Sequence, residues 1–122
     1  DQEKYIRKIV ELCKKYNISV VFTTVIQDPQ TVKEKVVSFQ KADNYIRGLA
    51  EELDVEYYNF NGLKYEFFER DTNDFYDREG HMYGDTATRF TRIYGQVINE
   101  SFNGGIRNDY FESDLKALYG EV

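Results

Sequence analysis

The sequence is poor in the residue types that hold small or unusual folds together. Its 122 residues include one cysteine, one proline, one histidine and no tryptophan. A lone Cys13 cannot form an internal disulfide, so no cystine framework stabilises this chain. One proline and eight glycines exclude the collagen-like and proline-rich low-complexity classes. The hydrophobic fraction of 41% and the charged fraction of 31% are instead typical of a globular chain of one-domain length.

Long hydrophobic runs and a basic surface are also absent. The longest mainly apolar run, residues 18–26, is far shorter than the roughly 18–20 apolar residues that a membrane-spanning helix needs. The formal net charge is −6, and six acidic residues against two basic ones lie between Glu66 and Glu79. We interpret this acidic stretch as a solvated loop. Nucleic acids and anionic membranes are not expected as partners, because an acidic surface repels both.

Hydrophobic spacing along the chain predicts helices that alternate with strands. Apolar residues at steps of three and four predict an amphipathic helix over 3–16 and a longer helix over 31–53. Runs rich in β-branched and aromatic residues predict a strand over 18–26, covered on both faces, and a second strand over 55–60. Strands joined through a helix in this way run parallel. The predicted fold class is therefore α/β, with a three-layer, flavodoxin-like arrangement of a parallel sheet flanked by helices.

Cys13 belongs to the apolar stripe of the first helix, so we expect it to be a small core residue. The ends of the other two helices are marked by capping patterns. The spacing of Thr31 and Glu34 matches a capping box at the start of the second helix. A final helix is predicted to begin at an N-cap Asp85 and to end at residues 103–105, which contain two glycines.

The number of predicted strands is small for this fold class. We assign residues 1–102 to the α/β domain and residues 103–122 to a tail with only weak helical spacing. Two strands fall short of the roughly five of a doubly wound sheet, and the chain begins with Asp1 while its one methionine is Met82. We therefore expect the C-terminal part of a larger sheet, whose open edge is covered by further strands or by a second copy of the chain.

His81 is the one side chain whose charge ordinarily changes near neutral pH. It lies between the second predicted strand and the last helix, where the loops of open α/β sheets bind ligands. Asp77 stands four residues earlier and can hold the imidazole in one tautomer, and Gly80 permits the sharp turn between the two. Glu79 could orient the imidazole instead of Asp77. It is also possible that no acid orients it. On local sequence alone, a surface histidine in an acidic loop is the simpler interpretation.

The same loop also offers oxygen ligands for a metal. Asp71 and Asn73 begin like a calcium-binding loop, but Phe75 occupies the next ligand position and Tyr76 stands where a glycine is needed. The chain has no glycine-rich phosphate-binding loop and no cysteine cluster. We therefore predict neither a metal site nor a cofactor.

The residues around His81 form a longer recognisable block. Residues 75–91 read FYDREGHMYGDTATRFT, in which the apolar Met82 follows the histidine and the small Ala87 lies near the start of the last helix. This block resembles the last conserved block of the SGNH (GDSL-type) hydrolases, and the element order over residues 3–100 is similar to the C-terminal half of that family. The resemblance implies a C-terminal portion of an SGNH serine hydrolase, either an esterase or an acyl transferase.

The resemblance implies that His81 is the general base and that Asp77 is its orienting acid. It also implies a small-molecule or cell-envelope ester as substrate and an extracellular or cell-envelope location. This sequence departs from the family in having three residues, not two, between the acid and the histidine, and Arg78 at the strict position cannot accept an imidazole proton. The family's Gly-Asp-Ser block and oxyanion-hole segments are absent. The serine nucleophile is therefore expected outside these residues, and the chain alone is expected to be inactive.

A second hypothesis needs no nucleophile. Tyrosines are frequent near the acidic loop, where Tyr65, Tyr76 and Tyr83 lie within 16 residues of His81. Half-buried aromatic rings suit a carbohydrate or acyl-chain surface, but they equally suit an ordinary core with polar rims, which is the simpler interpretation. The alternative is a non-catalytic α/β domain that binds a protein or a glycan through this loop.

Overall fold

The computed structural model describes residues 1–106 and 109–120. Within these ranges the chain forms five helices and two strands. In chain order they are α1 (Gln2–Lys15), β1 (Val21–Thr24), α2 (Pro29–Glu34), α3 (Val36–Leu53), β2 (Glu56–Asn59), α4 (Gly84–Phe102) and α5 (Leu115–Tyr119). Single 3-10 turns occupy Phe60–Gly62 and Thr72–Asp74. None of the described helices combines the length and the apolar character needed to cross a membrane.

The two strands form a small parallel sheet flanked by helices. Val21 pairs with Glu56, and the register continues to Thr24 opposite Asn59. Both strands therefore end at the same edge, where the chain continues into α2 and into the turn after β2. The predicted α/β character and the parallel pairing are confirmed.

Strand β1 is shorter and less buried than the sequence predicts. It has four residues, and the flanking Ile18 and Val25 are 56% and 52% exposed. The reason is that β1 pairs with β2 on one side, while its other edge has no backbone partner among residues 1–106 and 109–120. The prediction of a strand covered on both faces along residues 18–26 is therefore wrong, and only Ile26 at its end is fully buried.

The predicted helix over 31–53 is two helices. The chain breaks at Lys35, where φ is −120° and ψ is 32°, so that α2 and α3 are separate. The first of them begins earlier than predicted, because the Asp28 carboxylate accepts the backbone N–H of Gln30 at 3.2 Å and acts as the N-cap. The predicted capping box is therefore wrong, since Thr31 lies inside α2, where its hydroxyl oxygen is 3.1 Å from the Asp28 Oδ2.

Helix α4 begins one residue before its predicted cap. Tyr83 is the N-cap residue and makes no side-chain capping bond. Asp85 lies in the first turn instead, where its negative charge complements the helix dipole. The predicted end of the helix is confirmed, because Asn103 is the C-cap residue.

The core consists of two clusters of buried side chains. The larger is built around Phe60, whose ring centroid lies 5.6 Å from that of Phe90, 4.9 Å from that of Tyr94 and 5.3 Å from that of Phe111. The smaller joins α2, α3 and α5 through Val32, Val36, Leu115 and Tyr119. Tyr110 of the predicted tail is also fully buried. The described residues after 103 therefore contribute to both clusters.

Helix α1 is attached mainly by polar contacts with α3. Arg7 pairs with Glu52, and the Lys14 ammonium donates to the Leu53 carbonyl oxygen. Val10 is the one residue of α1 that is buried, whereas Cys13 is half-buried and the other members of the predicted stripe are exposed. Cys13 therefore belongs to the core only in part, because most of that side of α1 is left uncovered by the described chain.

Gly62 is required where two distant segments meet. Its carbonyl oxygen accepts the Glu112 N–H at 2.7 Å, and a Cβ added at Gly62 would lie 2.5 Å from the Glu112 carbonyl oxygen. Gly62→Ala should therefore destabilise the protein by about 1–3 kcal/mol in urea unfolding followed by circular dichroism.

Gly48→Ala is the matched control. Gly48 lies on the exposed side of α3, and no atom would lie within 4 Å of an added Cβ. This substitution should stabilise the helix by up to about 1 kcal/mol. Equal effects of the two substitutions would contradict the close approach at Gly62.

Candidate functional site

The predicted site lies on a loop that is closed at its base. Phe75 and Met82 form an antiparallel bridge, and the Tyr76 N–H donates to the His81 carbonyl oxygen at 2.9 Å. Phe75 is buried in the larger core cluster and anchors one side of the loop. Residues 75–83 are therefore held as a defined unit, which we call the histidine loop.

Gly80 places this loop against the end of β1. Its φ of +118° lies in the region that favours glycine. A Cβ at this position would lie 3.1 Å from the Ile26 carbonyl oxygen and 3.2 Å from the Gln27 Cα. The histidine loop therefore sits at the carboxyl edge of the parallel strands, where α/β proteins bind their ligands.

Arg78 ties the same loop to α2. Its guanidinium pairs with the fully buried Asp28 at 3.1 Å and with Glu34 at 2.7 Å. The Thr31 hydroxyl donates to the Arg78 carbonyl oxygen at 2.7 Å. Arg78 therefore faces away from the imidazole and serves to position the loop.

The structure brings Asp77 and His81 together. The Asp77 Oδ2 contacts the His81 Nδ1. The other carboxylate oxygen accepts three backbone N–H groups, those of Glu79 at 2.9 Å, Gly80 at 3.1 Å and His81 at 3.2 Å. Glu79, the alternative acid, lies nearby but has no hydrogen bond to the imidazole. Of the two carboxylates considered from the sequence, Asp77 is the one that contacts His81.

These hydrogen bonds determine the charge of Asp77. Desolvation raises the pKa of its carboxyl, but the bonds from the His81 ring and from the three backbone N–H groups outweigh it and lower the pKa to about 2. The anionic carboxylate accepts hydrogen bonds only, so the neutral imidazole carries its hydrogen on Nδ1. The Nε2 lone pair is then left for another group, on a side chain that is 58% exposed.

Two tyrosines form an exposed aromatic surface beside the imidazole. The Tyr76 ring stacks on His81 with centroids 5.6 Å apart and an interplanar angle of 18°. Tyr83 lies 5.7 Å from Tyr76, and both tyrosines are more than half exposed. The sequence indicated that both tyrosines lie near His81, but it did not predict that the Tyr76 ring stacks on the imidazole.

The surroundings of His81 bear on two further groups, a serine nucleophile and a metal ligand set. Across the described ranges, no serine hydroxyl has a hydrogen bond to His81, and Ser101 bonds to Tyr58 at 2.9 Å instead. Asp77, Glu79 and His81 could each offer one ligand atom to a metal, with these atoms within 4.8 Å of one another. Both Asp77 oxygens also accept hydrogen bonds from the histidine loop.

Sequence reasoning missed the residues that hold the loop in place. Asp28 and Arg78 are distant in sequence, and neither lies in a motif that is typical of a catalytic site. The one available signal is the Asp28–Pro29 pair, which is typical of an N-cap followed by the first helical residue.

No protein-family model, no curated protein and no solved structure matches this chain.

The lowered pKa of Asp77 predicts a change at acid pH. The folded value of about 2 lies below the ordinary value of 3.8, so the carboxylate stabilises the loop above pH 3.8 and loses this effect as the pH falls through 2. A titration of the Asp77 carboxyl carbon by NMR should give a midpoint near 2. Glu79→Gln should leave that midpoint unchanged. A midpoint at 3.8 or above would show that the carboxylate is not held by these bonds.

Proposed function

We propose that His81 is the general base and Asp77 its orienting acid in an SGNH-like serine hydrolase, an esterase or acyl transferase. The observation that carries this proposal is the contact between the Asp77 Oδ2 and the His81 Nδ1, which leaves the Nε2 available. An imidazole oriented by a carboxylate in this way can remove a proton from a serine hydroxyl. The proposed substrate is a small-molecule or cell-envelope ester, and the proposed location is the cell envelope or the extracellular space.

The proposed chemistry follows from the free nitrogen. The Nε2 takes the proton of a serine hydroxyl as its oxygen attacks the ester carbonyl, and the resulting imidazolium returns a proton to the leaving alkoxide. Asp77 remains anionic and stabilises the imidazolium through Nδ1. The exposed position of His81 at the carboxyl edge of the strands leaves room for both the nucleophile and the substrate.

The nucleophile in this proposal belongs to a segment outside these residues. Two features of the described chain support that view: the outer edge of β1 has no backbone partner, and α1 exposes Ile9, Leu12 and Tyr16. Further strands beside β1 would cover both and would complete a three-layer sheet. This part of the domain would supply the serine and the oxyanion-hole donors.

Labelling with a fluorophosphonate probe tests the proposal on the protein encoded by the complete gene. That protein should react at a serine, whereas the 122-residue chain alone should not. His81→Ala and Asp77→Asn should each slow the labelling by about 10²–10⁴-fold, because each removes part of the general base. Glu79→Gln, a change to an acid of the same loop, is the control and should label at the normal rate. The proposal fails if the complete protein does not label, or if labelling survives in a folded His81→Ala variant.

The tautomer of His81 can be tested on the chain itself. Nitrogen-15 NMR at a pH where the ring is neutral should show the hydrogen on Nδ1 and a free Nε2, because Asp77 accepts from Nδ1. Asp77→Asn should move the hydrogen toward Nε2, while Glu79→Gln should leave it on Nδ1. A hydrogen on Nε2 in the unmodified chain would contradict the assigned role of Asp77.

A second candidate function is supported by the aromatic surface. Tyr76 and Tyr83 expose their rings beside acidic residues and suit the stacking of a sugar ring or a protein side chain. In that case the Asp77–His81 contact stabilises a binding loop and performs no chemistry. An unlabelled complete protein with the His81 tautomer intact would favour this function.

A further inference from the structure

Arg70 is a buried cation in an aromatic environment. The residue is 4% exposed. Its guanidinium lies 4.0 Å from the centroid of the Tyr65 ring, 5.8 Å from that of Tyr119 and 5.9 Å from that of Phe68. Such rings stabilise a cation through their faces, but they do not neutralise its charge.

The hydrogen bonds of Arg70 are incomplete. Nη1 donates to the Phe68 carbonyl oxygen at 2.8 Å, and Nη2 donates to the Tyr119 hydroxyl at 2.9 Å. The Nε is buried and has no acceptor. No carboxylate of residues 1–106 and 109–120 forms an ion pair with this guanidinium. A buried charge in this condition is costly unless something outside the chain compensates it.

The neighbouring carboxylates are engaged elsewhere. Asp28 accepts from the Thr72 hydroxyl at 2.9 Å and pairs with Arg78. Asp71 accepts the Asn73 N–H at 2.7 Å as the cap of the 3-10 turn. Both acids therefore have partners that hold them in place, and neither is the missing counter-ion of Arg70.

A cavity of about 320 Å³ lies beside Arg70, between α2 and α5. Lys33 of α2 lines it, is exposed and makes no ion pair in the described chain. Tyr65, Leu118 and Tyr119 give the cavity an aromatic and apolar wall. Two cations and an apolar wall therefore share one small cavity, and Asp71 is the one acid among the described residues that line it.

We propose that this cavity binds a carboxylate or phosphate group of a small ligand, with Arg70 and Lys33 as its cationic partners. The planar guanidinium has the donor geometry that suits two oxygens of such a group, and its Nε–H is the donor that lacks an acceptor. The Tyr65 and Leu118 side chains contact an apolar part of the same ligand. This site is separate from His81, and the proposal does not depend on any reaction there.

Titration of the chain with sodium benzoate and with inorganic phosphate tests the proposal, with ionic strength held constant by sodium chloride. At least one of the two anions should shift the Arg70 Nε–H signal in a nitrogen–hydrogen correlation spectrum and should saturate. The anion that saturates identifies the ligand group. Lys33→Ala should weaken binding by about two- to fivefold, the effect of removing one exposed charge.

Arg70→Lys keeps the charge and removes the fork of donors, so it should weaken binding by more than tenfold. Arg89→Lys is the matched control. Arg89 also lies over the Phe68 ring, at 4.8 Å, but it donates to the Glu69 carbonyl oxygen at 2.9 Å and pairs with Asp74. Its substitution should leave the affinity unchanged.

Three results would overturn the proposal. They are the absence of a saturable shift with both anions, an equal shift with chloride, and unchanged affinity in a folded Arg70→Lys variant. If Arg70→Lys does not fold, Lys33→Ala decides the outcome, because Lys33 is exposed and its loss leaves the core intact. Unchanged affinity in Lys33→Ala would then overturn the assignment.

Discussion

The buried carboxylate of Asp28 holds the carboxyl edge of the sheet together. It lies four residues after the end of β1, is fully inaccessible to solvent and caps α2 through the Gln30 N–H. It also accepts from the Thr72 hydroxyl, contacts the Thr31 hydroxyl and pairs with Arg78. These bonds join residues 28–31 to residues 72–78, two segments that are distant in sequence. They also compensate the buried anion, which would cost several kcal/mol without partners. Asp28 shares this attachment with Glu34 and Thr31 of α2, which also contact Arg78, but it is the fully buried member of the group.

This attachment explains how His81 can be exposed and still be well positioned. The imidazole is oriented by Asp77 within the loop, whereas the loop is positioned by Arg78 and by the close approach of Gly80 to Ile26. Orientation and placement thus depend on different contacts. A side chain held in this way can meet a partner from outside without any rearrangement of the core.

The rest of the molecule is divided between a well-packed and an uncovered side. Phe60 and its aromatic neighbours fill the space between β2 and α4, and Tyr119 joins α5 to the turn after β2 through the Asn61 carbonyl oxygen at 2.6 Å. On the other side, β1 and α1 leave a strand edge and an apolar helix face without cover from the described chain. Arg70 belongs to the packed side, and its unpaired charge there cannot be explained by exposure to water.

The sequence by itself determined the alternation of helices and strands and the parallel pairing. It offered Asp77 as a candidate partner of His81, and the structure decided between Asp77 and Glu79. The first two features follow from local periodicity, and the candidate pair follows from a four-residue spacing that includes a glycine. The break at Lys35 was not predictable, because the apolar spacing continues from Val32 to Val36 across it. Burial was decided only by the tertiary structure. Arg70 is charged and lies in an acidic stretch that predicts a solvated loop, yet the ring of Tyr119, 49 residues away, encloses it. Desolvation depends on which distant segments pack together, and no local pattern contains that information.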